Sequence, residues 1–319
     1  MPGPSPVIID TDPGVDDALA LLLAGASPEL DVLAVTTVGG NVGLDLVTEN
    51  VRRIVPIAWA GRPLPPIYRG AAEATEPAAH VHGPDGLGGV SELLDEAGAP
   101  LYPAAAPVER EDAAAAILRL ARQHPGEVTL ITLGPLTNLA LALSRDRQAA
   151  RLLREVVIMG GAFRVPGNTT PWAEYNVVVD PESAQAVCDS GIPLRWVPVD
   201  CTHRCVLRRD QLRPPSAPSL RSRFIREICE FTFGFHHRET GEWGCYLHDP
   251  LAVGAAIWPD LLRSVPLRVD VETRGRLTRG MTVADFRVGN FGPRPTPNSE
   301  VCLEVDADAF VERLLDRIG

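Results

Sequence analysis

Residues 7–24 read VIIDTDPGVDDALALLLA, and this stretch narrows the fold more than any other. The apolar run Val7–Ile9 has the character of a buried strand. It breaks at Asp10-Thr11-Asp12-Pro13-Gly14, and from about Asp16 a helix carries Ala and Leu on a continuous apolar surface. Four carboxylates, Asp10, Asp12, Asp16 and Asp17, therefore crowd one strand-to-helix turn. One Asp or Asn suffices to cap a helix, and the helix dipole favours acidic residues in the first turn. Those roles account for two of the four. The rest repel one another unless a positive charge sits among them. The turn is therefore read as a site for a hard divalent cation held by oxygen ligands.

Buried strands and helices then alternate along the chain. Strands are expected at Leu33–Val38, Ile57–Ala60, Val128–Leu133, Val156–Met159 and Leu194–Val199. Helices are expected from Leu44 to Ile54, over 111–123, from Leu136 and after Pro181. Residues 61–90, with His80, His82 and Asp85, read as a long loop, and 162–180 as a polar one. A Pro- and Ser-rich segment, 213–219, precedes a helical stretch at 220–240. An apolar helix, Leu251–Ile257, follows Tyr246-Leu247-His248-Asp249-Pro250. Short strands and turns fill 265–305, and a helix, Val305–Ile318, closes the chain. Continuous apolar strands between helices mean an α/β fold, a mostly parallel central sheet flanked by helices. The polar residues recur after strands: Asp12, Asn41, the turn after Leu133 and the loop after Met159. All would lie at the strands' carboxyl ends, where open parallel sheets bind ligands. No clean boundary divides the chain, so residues 1–319 are read as one domain.

Composition removes several function classes. A formal net charge of −11 opposes a nucleic-acid partner, which needs a basic face. The chain has no Lys, which excludes lysine Schiff-base chemistry. Its six cysteines are scattered without a zinc-binding pattern, as expected of buried thiols in a reducing compartment. No apolar run is long enough to span a membrane, and MPGPSPVIID carries no leader-like pattern, so a cytoplasmic location is expected.

The motifs DTDPGVDD, VGGN at 38–41, GPLTN at 134–138, MGG…GN…AEYN…DPESA at 159–184 and HDPLAV at 248–253 together resemble the nucleoside hydrolases, the inosine-uridine-preferring family. The resemblance implies a Rossmann-like sheet with the active site at the strands' carboxyl ends, and cleavage of ribonucleosides to ribose and free base in salvage. It implies one Ca²⁺, held by Asp12, Asp17, the carbonyl of Leu133 and Asp249, with Asp10 orienting the loop behind them. Asp16 matches the general base, and Asn41, Asn168, Glu174 and Asn176 match residues that grip ribose, with Met159 packed under the sugar. His248 matches a position where one branch of the family has His assisting the leaving base and another has Trp. The His branch is broad in base preference or inclined to pyrimidines. His236, with His237 beside it, lies on the segment that covers the base in relatives. Tyr175, His82, Trp172 and Trp243 are weaker candidates for stacking on or capping the base. A homodimer or homotetramer is implied. Without the resemblance, a nucleoside-binding sensor, a nucleoside phosphorylase and a metal-dependent phosphohydrolase remain to be weighed. The latter two lack a basic anchor for phosphate.

Overall fold

The run at Val7–Ile9 lies inside β1 (Ser5–Thr11), with Val7 and Ile9 facing one layer of helices and Ile8 the other. The same alternation recurs along the neighbouring strands, so both faces of the sheet are covered. α1 (Val15–Ala26) is buried along almost its whole length, between the sheet and further helices. An all-round apolar helix is stable only in such a place.

The computed structural model describes residues 3–72, 79–212, 219–287, 292 and 295–319. After α1 come β2 (Leu30–Thr37), α2 (Leu44–Ala58), β3 (Ile67–Arg69), α3 (Ala79–His82), β4 (Val108–Glu109) and α4 (Ala113–Gln123). The chain then runs through β5 (Thr129–Thr132), α5 (Thr137–Ala150), β6 (Glu155–Met159), α6 (Tyr175–Val179), α7 (Pro181–Cys188) and β7 (Leu194–Val197). Next are α8 (Val199–Thr202), β8 (Val206–Arg208), α9 (Leu220–Thr240), β9 (Gly244–Tyr246) and α10 (His248–Ile257). The last elements are β10 (Leu262–Leu267), β11 (Val269–Val271), β12 (Thr282–Ala284), β13 (Ser299–Val305) and α11 (Ala307–Ile318).

Among the described residues, nine strands form the main sheet in the order β10-β13-β7-β6-β5-β1-β2-β3-β4. Every pairing is parallel except that of β10 with β13. The chain winds outward from β1 through β4, then returns to the other side of β1 and winds through β5, β6 and β7. The reversal lies between β1 and β5, whose Asp10 and Thr132 are in register. At such a switch point the loops diverge and leave a crevice for a ligand. Among the described residues no helix is long and apolar enough to cross a membrane.

Several local expectations are corrected. Ile57–Ala60 is not a strand: α2 continues through Pro56 to Ala58. Proline removes an amide from a helix, and here the Arg52 carbonyl it would have bonded accepts Ala106 N–H at 3.3 Å. The 61–90 segment is not all loop, since it contributes β3 to the sheet and α3 to the site. The polar loop 162–180 contains α6, whose N-terminus is capped by Glu174. The helix expected from Leu251 begins at His248, with Pro250 in its first turn, where its missing amide costs nothing. Most of the Pro- and Ser-rich segment, residues 213–218, lies outside the described residues.

Candidate active site

The β1–α1 turn is built around Asp17. Its Oδ1 accepts the Thr11 hydroxyl at 2.5 Å, and its Oδ2 accepts Gly14 N–H at 2.9 Å and the Asn41 amide at 3.2 Å. Asn41 also donates its backbone N–H to Asp12 Oδ2 at 2.8 Å, so one residue of the β2–α2 loop ties both carboxylates. Behind them, Asp10 Oδ1 accepts the Thr36 hydroxyl at 2.5 Å and the Asn138 amide at 2.7 Å. Gly40 and Gly134 pack so closely on Asp12 that a Cβ would stand 1.9 and 2.5 Å from its two oxygens.

Packing of α1 against α10 adds a carboxylate from far along the chain. Asp16 and Asp17 in the first turn of α1, and Asp249 in the first turn of α10, offer oxygens all within 4.8 Å of one another. This trio contains Asp16, expected as the base, whereas Asp12, expected as a ligand, lies just beside it. Burial pushes Asp10 up to about 7 and Asp16 up to about 6. Burial, then the charge of Asp17, raises Asp12; burial, then the charge of Asp16, raises Asp249. Oδ1 of Asp12 and Oδ1 of Asp16 are buried without a hydrogen-bond partner among the described residues. Unpartnered carboxylate oxygens crowded together suit a hard cation that prefers oxygen.

A cavity of about 610 Å³ opens above the acidic floor. On one wall His82 accepts Val15 N–H at its Nδ1, 3.1 Å away, and lies directly over Gly14. Burial lowers His82 to about 4, so the ring is neutral and its 3.8 Å approach to Asp16 is not an ion pair. Across the cavity, Asn176 donates to the Leu133 carbonyl at 2.6 Å and contacts Met159. The Glu174 carboxylate accepts Asn176 and Val177 N–H as the cap of α6, and also Gly161 N–H. Burial pushes it up to about 7. Asn168, at the rim, accepts Tyr175 N–H at 2.9 Å, and the Tyr175 hydroxyl donates to the Gly40 carbonyl.

The remaining wall comes from α9, β9 and α10, with Thr232, Phe235, His236, Tyr246 and His248 lining it. His248 Nδ1 lies 2.7 Å from the Thr202 hydroxyl, and burial holds this imidazole well below its usual range. Tyr246 is ringed by His203 at 4.6 Å, His236 at 4.8 Å and His248 at 5.5 Å. Of the weaker candidates, Trp172 and Trp243 do not line the cavity. Trp243 instead stacks on His237 at 4.3 Å, and Trp172 is exposed. Thr202, His203 and Tyr246 carry no spacing that marks them in sequence. The one signal for Thr202 and His203 is position, a short helical turn beyond the apolar strand β7.

The model for the inosine-uridine preferring nucleoside hydrolases matches residues 7–312. The chain is 38% identical over 323 residues to the pyrimidine-specific ribonucleoside hydrolase RihA of Salmonella newport, covering 98% of each. It is 39% identical over 285 residues to uridine nucleosidase 1 of Arabidopsis thaliana, covering 88% of this chain and 81% of that one. In structure it resembles a plant nucleoside hydrolase with a TM-score of 0.86, at 30% identity and covering 99% of each chain. With the acidic floor and its cavity at the sheet's switch point, these likenesses lead to one conclusion: the chain belongs to the inosine-uridine preferring nucleoside hydrolase family, a family of N-glycosidases that act on nucleosides.

Proposed function

We propose that this chain hydrolyses the N-glycosidic bond of ribonucleosides in a Ca²⁺-dependent reaction, with pyrimidine nucleosides as its preferred substrates. The carrying observation is the meeting of Asp16, Asp17 and Asp249 on the floor of a cavity walled by Asn41, Asn176, His82 and His248. The base preference is supported by the pyrimidine-specific and uridine-cleaving relatives. Residues from both halves of the sheet make one site, which supports reading 1–319 as one domain.

Asp12, Asp17, Asp249 and the Leu133 carbonyl would hold the ion; a carbonyl oxygen has two lone pairs, so the Asn176 bond does not exclude this. When bound, Ca²⁺ neutralises the carboxylates and makes nearby oxygen ligands more acidic. Asp16, whose Oδ1 has no hydrogen-bond partner among the described residues, accepts the proton of the attacking water. That water adds to the anomeric carbon as the bond to the base breaks. The ribose ring gains positive charge, which the surrounding carboxylates stabilise. Asn41, Asn168, Glu174 and Asn176 orient the ribose hydroxyls, and Met159 packs beneath the ring. His248, which burial makes a stronger acid once its ring carries a proton, gives that proton to the departing base, while His82, Tyr175 and His236 border it.

The test is ribose release from uridine, cytidine, inosine, adenosine and guanosine without phosphate, before and after metal stripping. Release that needs the metal, is fastest with the pyrimidines and falls at least about 10²-fold in Asp16→Asn supports the proposal. Binding of nucleosides without release would instead make the chain a sensor.

A further inference from the structure

Thr202 is fully buried, at the end of the short α8 that follows β7. Helical threonines commonly turn their hydroxyl back to a carbonyl of the preceding turn. Here, among the described residues, its partner is His248 Nδ1 at 2.7 Å. The next residue, His203, meets the His248 ring edge-on at 5.5 Å and packs on Tyr246 at 4.6 Å. Tyr246 in turn lies 5.5 Å from His248. The imidazole is thus bounded by aromatic rings, with one nitrogen tied to a hydroxyl.

We infer that Thr202 is a positioning residue for departure of the base: its hydroxyl engages Nδ1 of His248 and so aims Nε2 at the leaving group. Van der Waals contacts confine the ring but do not distinguish its two nitrogens. A hydrogen bond to one nitrogen does, and it sets which of them faces the substrate. Thr202 itself does not line the cavity. The inference rests on the reading of His248 as proton donor.

The experiment compares Thr202→Val, Thr202→Ser and His248→Ala on two substrates, uridine and a nitrophenyl riboside. Nitrophenolate leaves without protonation, so the second substrate bypasses the donor. Thr202→Val is expected to lower kcat on uridine about tenfold or more, leave KM nearly unchanged, and spare the nitrophenyl riboside within about twofold. Thr202→Ser, which keeps the hydroxyl, restores uridine turnover. His248→Ala shows the same selectivity more strongly. Equal losses of Thr202→Val on both substrates would mean a structural role and overturn the inference. So would wild-type uridine turnover in Thr202→Val beside a selective defect in His248→Ala. If His248→Ala itself fails to separate the two substrates, the reading of His248 falls, and this inference with it. Should Thr202→Val not fold, Thr202→Ala carries the same comparison.

Discussion

At the scale of single residues, the site is set by close approaches that leave no room for a methyl group. A Cβ at Gly40 would lie 1.9 Å from Asp12 Oδ2. Gly40→Ala is therefore expected to displace Asp12 and weaken divalent-cation affinity at least about tenfold by calorimetry, a factor worth about 1.4 kcal/mol. Unchanged affinity would exclude Asp12 from the ion site. Gly14 has extended backbone that any residue adopts, but its Cβ would stand 2.7 Å from His82 Nδ1. Overpacking of this kind costs about 1–3 kcal/mol. Thermal unfolding should show that loss in Gly14→Ala. Adding His82→Ala should recover it, because the clash is with that ring; strictly additive losses would refute the coupling.

At the scale of elements, the turn after α3 deserves comparison with the β1–α1 turn it presses against. The Asp85 carboxylate gathers the amides of Leu87, Gly89 and Ser91 at 2.8–2.9 Å. The Asn50 amide reaches both the Asp85 carbonyl at 2.7 Å and the Pro13 carbonyl at 3.3 Å, joining the two turns. Burial raises the Asp85 carboxyl, but the amides of Ser91, Gly89 and Leu87 outweigh it and hold the group below its ordinary value. A carboxylate lowered in the folded state adds stability above its unfolded value, about 3.9. That contribution fades as pH falls through the lower folded value. Protection of the amides at 87, 89 and 91 against exchange, relative to their intrinsic rates, should thus hold down to about pH 4 and fall below it. In Asp85→Asn that protection should already be low at neutral pH, with lower activity as His82 loosens. Equal protection in the variant would count against the turn's role.

At the scale of the molecule, an acidic cluster at a sheet's switch point is a stability cost that a bound cation offsets. Carboxylates from the β1–α1 turn and from α10 are pressed together because α1 packs on α10. A ligand that binds only the folded state at about 100 times its Kd adds about 2.7 kcal/mol. Chelation should lower the melting temperature by several degrees, and added Ca²⁺ should restore it. Calorimetry that finds no difference would remove the ion from the proposed function.

The sequence by itself determined the alternation of buried strands and helices, the parallel sheet and the acidic strand-to-helix turn. Those features depend on periodicity and charge within a few residues, so Val7–Ile9 and Asp10–Asp17 were legible at once. Family motifs extended that reading to Asn41, Glu174, Asn176 and Asp249. Where a tertiary contact intervened, the local reading failed: Ile57–Ala60 read as a strand, but the Ala106 amide took the carbonyl freed at Pro56 and α2 ran on to Ala58. Only the tertiary structure decided that His82 lies on Gly14 and that Thr202 meets His248, and how near Asp16 stands to the Asp17 and Asp249 that the motifs had already joined. Each of these meetings joins segments distant in the chain. Packing of α1 on α10 brings Asp249 to Asp16, and packing of α8 on α10 brings Thr202 to His248; no local pattern encodes either contact.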